Sequence, residues 1–237
     1  MKISLVIPAY NEEKYIGACL ESVIAIRTED LIEIIVVDNN STDGTIALAE
    51  KFPGVRVVKE LAKGPTHARQ RGFLESKGDL VAFIDADTRV PSGWISSIQK
   101  EFSENTHLVC LSGPFHYYDL SPFKKFVAEF FWNIVASPVY WIVGFMALGA
   151  NFVVKRDALV QLDGFDTSIA FYGDDTSIAM RLSKLGKVKF SMKFFIMGSG
   201  RRLEEEGIGK TFFIYGINYI LIAAKKRPSS SNYRDIR

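Results

Sequence analysis

Cysteine, histidine and charge of one sign are all scarce in this chain. Its two cysteines among 237 residues, Cys19 and Cys110, make no disulfide framework. Their apolar neighbours mark both as buried thiols in a reducing compartment. Three scattered histidines, His67, His107 and His116, with no cysteine pair beside them, lack the spacing of a zinc site. The 29 Lys and Arg nearly balance the 27 Asp and Glu, for a net charge of +2, so no nucleic-acid partner is expected. The opening apolar run is short, stops at Pro8 and is followed by Glu12 and Glu13 without a small-residue cleavage site. No secretory leader is therefore expected, and the expected location is cytoplasmic.

What is present is an apolar, aromatic-rich composition, 48% hydrophobic and 24% charged, which is that of a packed globular protein and excludes disorder for most of the chain. The length suits one large domain, or one domain with an appendage. Apolar runs at 3–7 and 80–84 read as strands buried on both faces, and 32–37 and 55–59 as further strands. Between them, helices are expected over 12–26, 41–51 and 65–75. This alternation predicts an α/β fold, a mostly parallel sheet flanked by helices. Ligands of such sheets bind at the carboxyl ends of the strands. There lie Pro8-Ala9-Tyr10-Asn11, Asp38-Asn39-Asn40-Ser41 and Asp85-Ala86-Asp87.

The second half is less regular. From Phe130 to Val154 there is no Asp, Glu, Lys or Arg, long enough to raise a membrane span. A single crossing would, however, separate Asp85 and Asp87 from Asp174 and Asp175. The expectation is one or two apolar helices over 123–145, then a strand at 151–155, a helix at 174–185 and a strand at 187–193. A further uncharged stretch, 211–224, precedes Lys225-Lys226-Arg227 and a tail rich in Pro and Ser. This apolar helical C-terminal part, with its basic end, suits either a membrane interface or a core helix with a solvated end. The division expected is a domain over 1–200 and a helix with a basic tail over 201–237. An exposed aromatic surface at 126–141 would mark an acceptor, membrane contact or homodimer face.

Asp85-Ala86-Asp87 ends a strand, where residues two apart share a face. Two such carboxylates repel unless a cation lies between them, and a hard dication such as Mg²⁺ or Mn²⁺ meets that need. A solvated acidic turn would leave the same pattern. In Asp38-Asn39-Asn40-Ser41-Thr42-Asp43, Ser41 or Thr42 could cap the next helix and Asp43 complement its dipole. That account does not cover Asp38, whose carboxylate could accept a hydrogen bond from a base or a ribose. Asp174-Asp175 has its own structural account as charge at a helix N-terminus.

Together these segments resemble the family-two inverting glycosyltransferases of the GT-A fold. The likeness runs through Ser4–Glu13, Val36–Thr45, Ala68–Gly72, Gly78–Asp87, Gly149–Asn151, Gly164–Asp166, and Gly173–Thr176 with Arg181-Leu182. It keeps the family's order over roughly the first 190 residues, and jointly these matches are far more specific than any one alone.

The resemblance implies that Pro8, Ala9, Tyr10 and Glu12 hold the base and ribose of a nucleoside-diphosphate sugar, UDP- or GDP-linked, and that Asp38 accepts from the base. Gly64, Ala68 and Arg69 would lie beside the nucleotide. Asp85 and Ala86 would face the ribose or the metal's water shell, and Asp87 would bind a Mg²⁺ or Mn²⁺ bridging the phosphates. Asp175 would be the general base, with Asp174, one methylene shorter than the usual Glu, against the acceptor. Gly149, Ala150 and Asn151 would lie near sugar and acceptor. The implied partners are the donor and a saccharide or lipid-linked acceptor, with possible peripheral contact to a membrane.

The Gln-x-x-Arg-Trp motif of processive synthases is absent. In its place stands Ser199-Gly200-Arg201-Arg202, of which Arg202 is the candidate for the pyrophosphate; a locally paired basic turn is the other reading. A sugar-phosphate nucleotidyltransferase would carry a Gly-rich basic loop after the first strand, and Pro8 to Lys14 has no Gly. A non-catalytic nucleotide-sugar binder would have no need of Asp85, Asp87 and Asp175 together.

Overall fold

The computed structural model of the chain describes residues 1–169 and 173–224. The apolar runs form a seven-stranded sheet. In chain order its strands are β1 (Ile3–Ala9), β2 (Leu31–Asp38), β3 (Val55–Lys59), β4 (Leu80–Ile84), β6 (Leu108–Ser112), β8 (Asn151–Lys155) and β9 (Lys187–Phe190). In space they run β3-β2-β1-β4-β8-β6-β9. All pairs are parallel except those of β8, which is antiparallel to both β4 and β6. The chain builds outward from β1 to β3, then returns to the other side of β1 with β4. This reversal opens a crevice at the carboxyl ends of β1 and β4. Above it a small sheet joins β5 (Thr88–Arg89), β10 (Ile196–Gly198) and β7 (Phe115–Tyr117).

Both faces of the large sheet are covered. Ile3, Leu5 and Ile7 pack with Ile16, Leu20 and Val23 of α1 (Ile16–Ala25) and with Trp94, Ile98 and Phe102 of α4 (Trp94–Glu104). The alternate residue Val6, with Val37, meets Ala68 and Phe73 of α3 (Pro65–Glu75) and Ile178 and Leu182 of α8 (Asp174–Leu182). Helix α3 approaches the sheet so closely that a Cβ on Gly72 would lie 2.1 Å from Val6 Cγ1.

The expected strands at 55–59, 80–84 and 151–155 and the helix at 65–75 stand at those bounds. Others differ for local reasons. α1 starts at Ile16 rather than Glu12, because Asn11 takes a left-handed φ of 52° and the Glu12 N–H donates to Thr45 Oγ1 at 2.8 Å. α2 (Thr45–Ala49) is shorter than expected, because the Ser41 and Thr42 N–H groups donate to Asp38 and Asn11 side chains instead of entering a helix. β1 runs on through Pro8 to Ala9. Beyond Val6 it pairs only with β2, where a proline costs little. α4, β6 and α7 (Arg156–Gln161) were not expected from the sequence.

The apolar helices expected over 123–145 form one continuous helix, Pro122–Val143, which takes in the first part of the uncharged stretch; the stretch ends in β8. Ser121 caps the start of the helix, accepting from the Lys124 N–H at 3.5 Å, and Gly144 (φ 85°) ends it. It comprises α5 (Pro122–Phe130), a π-helical stretch (Phe131–Ala136) and α6 (Ser137–Val143). Pro138 lacks the N–H that would reach the Ile134 carbonyl, and the wider turn immediately precedes it. After β10 come α9 (Arg201–Glu206) and α10 (Ile208–Ala223). The basic cluster at 225–227 lies outside the described residues.

Candidate active site

A cleft of about 820 Å³ opens at the carboxyl ends of β1 and β4. Pro8, Ala9, Tyr10 and Glu12 line one wall, Gly64, Ala68 and Arg69 a second, and Asp85, Ala86 and Asp87 the floor between them. Gly149, Asp174, Asp175, Arg201 and Arg202 face these from the second half of the chain.

Arg69 is the hub. Its side chain is buried, its Nη2 donates to Asp85 Oδ1 at 3.0 Å, and its Nη1 donates to Asp174 Oδ2. Burial alone would lower its pKa, but Asp174, Asp85 and Asp175 overcome that and hold the guanidinium firmly protonated. One cation thus joins the end of β4 to the start of α8. Gly149 makes room for it, since a Cβ there would stand 2.8 Å from Arg69 Nη2.

Asp175, beside this pair, retains part of its surface. Its Oδ2 accepts from the Gly149 N–H at 3.0 Å and its Oδ1 from the Thr176 N–H at 2.7 Å. Burial, then the adjacent Asp174 carboxylate, push its carboxyl up to about 6, against the opposing pull of Arg69 and the two backbone donors. A carboxylate with that affinity for a proton is suited to general-base work near neutral pH.

A second cation, Arg201, stands where the sequence pointed to its neighbour. Arg201 Nη2 donates to Glu12 Oε1 at 2.5 Å and reaches Asp87 Oδ2 at 3.0 Å, and its guanidinium lies 4.7 Å from the Tyr15 ring centroid. Arg202, the residue expected to meet the pyrophosphate, also lines the cleft, but its Nη1 pairs with Glu206 Oε1 at 3.2 Å, one turn along α9. Successive helical residues point about 100° apart, so nothing in Ser199-Gly200-Arg201-Arg202 could tell which arginine turns inward. Lys63, also in the cleft wall, gave no sequence signal.

Two expected site residues do not line the cleft. Asp38 is buried at the end of β2, and its Oδ1 accepts from the Ser41 N–H at 3.0 Å. It is Asn39 that reaches the cleft wall. Asn151 is fully buried. Its Oδ1 accepts from Trp94 Nε1 at 3.2 Å and its Nδ2 donates to the Gly113 and Phe194 carbonyls. These bonds hold β8 against its neighbours and occupy the amide inside the fold. The two cysteines are free and buried, and burial, then the charge of Asp87, push the Cys19 thiol up to about 12; neither is a nucleophile here.

Among the described residues no cluster of three or more His, Cys, Asp and Glu side chains forms a metal cage. Asp85 and Asp87 nevertheless offer hard oxygen donors at the cleft floor, and Asp87 already faces a cation in Arg201. That donor set fits a Mg²⁺ or Mn²⁺ that completes its coordination with substrate phosphates and water.

Residues 4–162, more than half of the chain, match the family described as glycosyl transferase family 2. The chain belongs to glycosyl transferase family 2. It is 26% identical over 211 residues to YdaM of Bacillus subtilis strain 168, described as a probable glycosyltransferase, covering 82% of this chain and 49% of that protein. The chain thus spans about half of that relative's length. Two solved structures are similar in fold. One is the mannosyltransferase PcManGT from Pyrobaculum calidifontis in complex with GDP-Man and Mn²⁺, with TM-score 0.71 and 19% identity, covering 95% of this chain and 64% of that one. The other is glucosyl-3-phosphoglycerate synthase from Mycobacterium tuberculosis in complex with Mn²⁺, UDP and glucosyl-3-phosphoglycerate, with TM-score 0.68 and 21% identity, covering 96% and 81%. The fold is that of the GT-A glycosyltransferases.

Proposed function

We propose that this family-2 chain is an inverting glycosyltransferase that moves a sugar from a UDP- or GDP-linked donor to a hydroxyl or phosphate acceptor with the help of Mg²⁺ or Mn²⁺. One observation carries the reading: Arg69 binds Asp85 and Asp174 at once. A strand-end Asp-x-Asp and a raised carboxyl on α8 therefore face one cleft. The donor would lie along Pro8 to Tyr10 and Gly64, with its phosphates toward Asp87 and Arg201. A dication held by Asp87 and Asp85 would supply electrostatic stabilisation of the leaving diphosphate.

Asp175 takes the proton of an acceptor hydroxyl. That oxygen forms its bond to the anomeric carbon as the bond from that carbon to the phosphate oxygen breaks. The nucleoside diphosphate leaves with the electron pair, and attack opposite the leaving group inverts the centre. A phosphate acceptor arrives ionised and leaves Asp175 only an orienting role. In the relatives described above, bound GDP-Man, UDP and Mn²⁺ support the donor and metal assignments.

Isothermal titration with UDP, GDP and their sugar conjugates, with Mn²⁺ and with EDTA, tests the reading. Metal-dependent binding of one nucleotide is expected, lost in Asp87→Ala and kept in Asp175→Asn, which should strongly slow transfer to a hydroxyl acceptor. A folded protein that binds no nucleotide would refute it.

A further inference from the structure

The cleft does not end at the carboxylates. It continues as an apolar groove between the helix Pro122–Val143 and α10, lined by Trp132, Val135 and Val139 on one side and Phe212, Gly216 and Tyr219 on the other. Phe131 stacks on Phe212 at 4.1 Å, and the Tyr219 hydroxyl donates to the Phe145 carbonyl at 2.6 Å, so the two helices are fixed against each other. Within this wall the Trp132 indole N–H is buried and has no hydrogen-bond partner among the described residues. Buried indoles ordinarily find one. A groove of this composition leaving a polar reaction centre fits a molecule with a polar head and a hydrocarbon tail.

The outer faces of the same helices are also apolar. Only 17% of the most apolar 18-residue window of Pro122–Val143 is buried, and Phe123, Phe126, Phe130, Ile134, Trp141 (78% exposed) and Ile142 (85%) face outward. Such a patch marks an interaction surface. The helix is about 33 Å long, enough to cross a bilayer, yet it cannot cross once. Arg69 joins Asp85, which precedes it in the chain, to Asp174, which follows it, and both its ends return to the same sheets. A helix so tethered lies along a lipid surface. One residue beyond α10 the sequence reads Lys225, Lys226 and Arg227, complementary to anionic headgroups.

We propose that the chain docks on an anionic lipid bilayer through the outer face of Pro122–Val143, and that the groove behind it holds the hydrocarbon chain of a lipid carrying the accepting group. The head of that lipid then meets Asp175, whose Gly149 partner lines the same cleft. The glycosyltransferase reading supplies only the fate of that head group.

Two binding measurements separate the parts. Vesicles of brominated phosphatidylcholine and phosphatidylglycerol are expected to bind the protein and quench its tryptophan emission, with the quenching lost in Trp141→Phe. The triple variant Phe126→Ser, Trp141→Ser, Ile142→Ser, altered only at exposed positions, should bind them about tenfold or more weakly. Decyl maltoside below its micelle concentration should bind, and maltose should not. Gly216→Leu places its new side chain in the groove, with no atom within 4 Å of the Cβ, and should weaken that binding about tenfold while vesicle and nucleotide binding persist. Absence of vesicle binding, or a dimer that the triple variant dissociates, would overturn the docking surface. Equal detergent binding by wild type and Gly216→Leu would overturn the groove. Vesicle and detergent binding without nucleotide binding would leave this proposal standing and remove the donor reading.

Discussion

Asp175, the proposed general base, shows how much such a residue owes to its surroundings. In sequence it is an acidic residue at a helix start; in the fold, burial and Asp174 bring its carboxyl to about 6. Because the raised group binds its proton more tightly folded than unfolded, its contribution to stability is full below 3.8 and lost as pH rises through about 6. In the proposed role of base it would work in the opposite limb: kcat/KM should rise with pH to a plateau above about 6. Asp175→Asn should remove that limb and lower turnover by about 10²–10⁴, as a pH series on both proteins would show. Arg201 makes a second prediction. Arg201→Ala takes away the guanidinium shared by Glu12 and Asp87 and should cost about 1–3 kcal/mol in urea unfolding. Added Mn²⁺ should return part of it by binding the folded state. Arg201→Lys, lacking the planar fork, should recover little.

At the scale of elements, strands were more legible than helix ends. A strand buried on both faces is a nearly continuous apolar run, so β1, β2, β4 and β8 stand in the sequence almost as they stand in the fold; β3, half-buried and carrying Arg56 and Lys59, is read from its valines. Helix starts depend on where backbone N–H groups find partners, and α1 and α2 begin late because Asn11, Asp38 and Thr45 bind those groups from across a loop. Helix α4 has a clear apolar face, Trp94, Ile95, Ile98 and Phe102, a periodicity that was there to read. Helix α3 depends on a missing side chain: Gly72→Ala would drive a methyl into Val6. It should cost about 1–3 kcal/mol by overpacking, seen as a lower urea midpoint with little change in its denaturant dependence.

For the whole molecule the decisive contact is Arg69, which spans 16 residues to Asp85 and 105 to Asp174. Arg69→Ala would leave these carboxylates facing one another without their cation and should cost about 3–5 kcal/mol. Removing its pull on Asp175 should also move the acid limb of the pH–rate profile upward. Urea unfolding and a pH profile on the same preparation check both.

The fold class and the wall of the cleft formed by Pro8 to Glu12, Arg69, Asp85 and Asp87 could be read from the chain. They depend on local patterns: apolar runs, and polar residues that interrupt them at strand ends. Which residues of the wall meet could not be read. Asp38 and Asn151 carry the right chemistry, yet neither lines the cleft: one oxygen of Asp38 accepts from Ser41 and the Asn151 amide is bonded inside the fold; Arg201 turns toward Glu12 and Asp87. Those outcomes depend on helix phase and on contacts that range from a three-residue turn at Asp38 to the 189 residues between Glu12 and Arg201, and only packing the whole chain settles them.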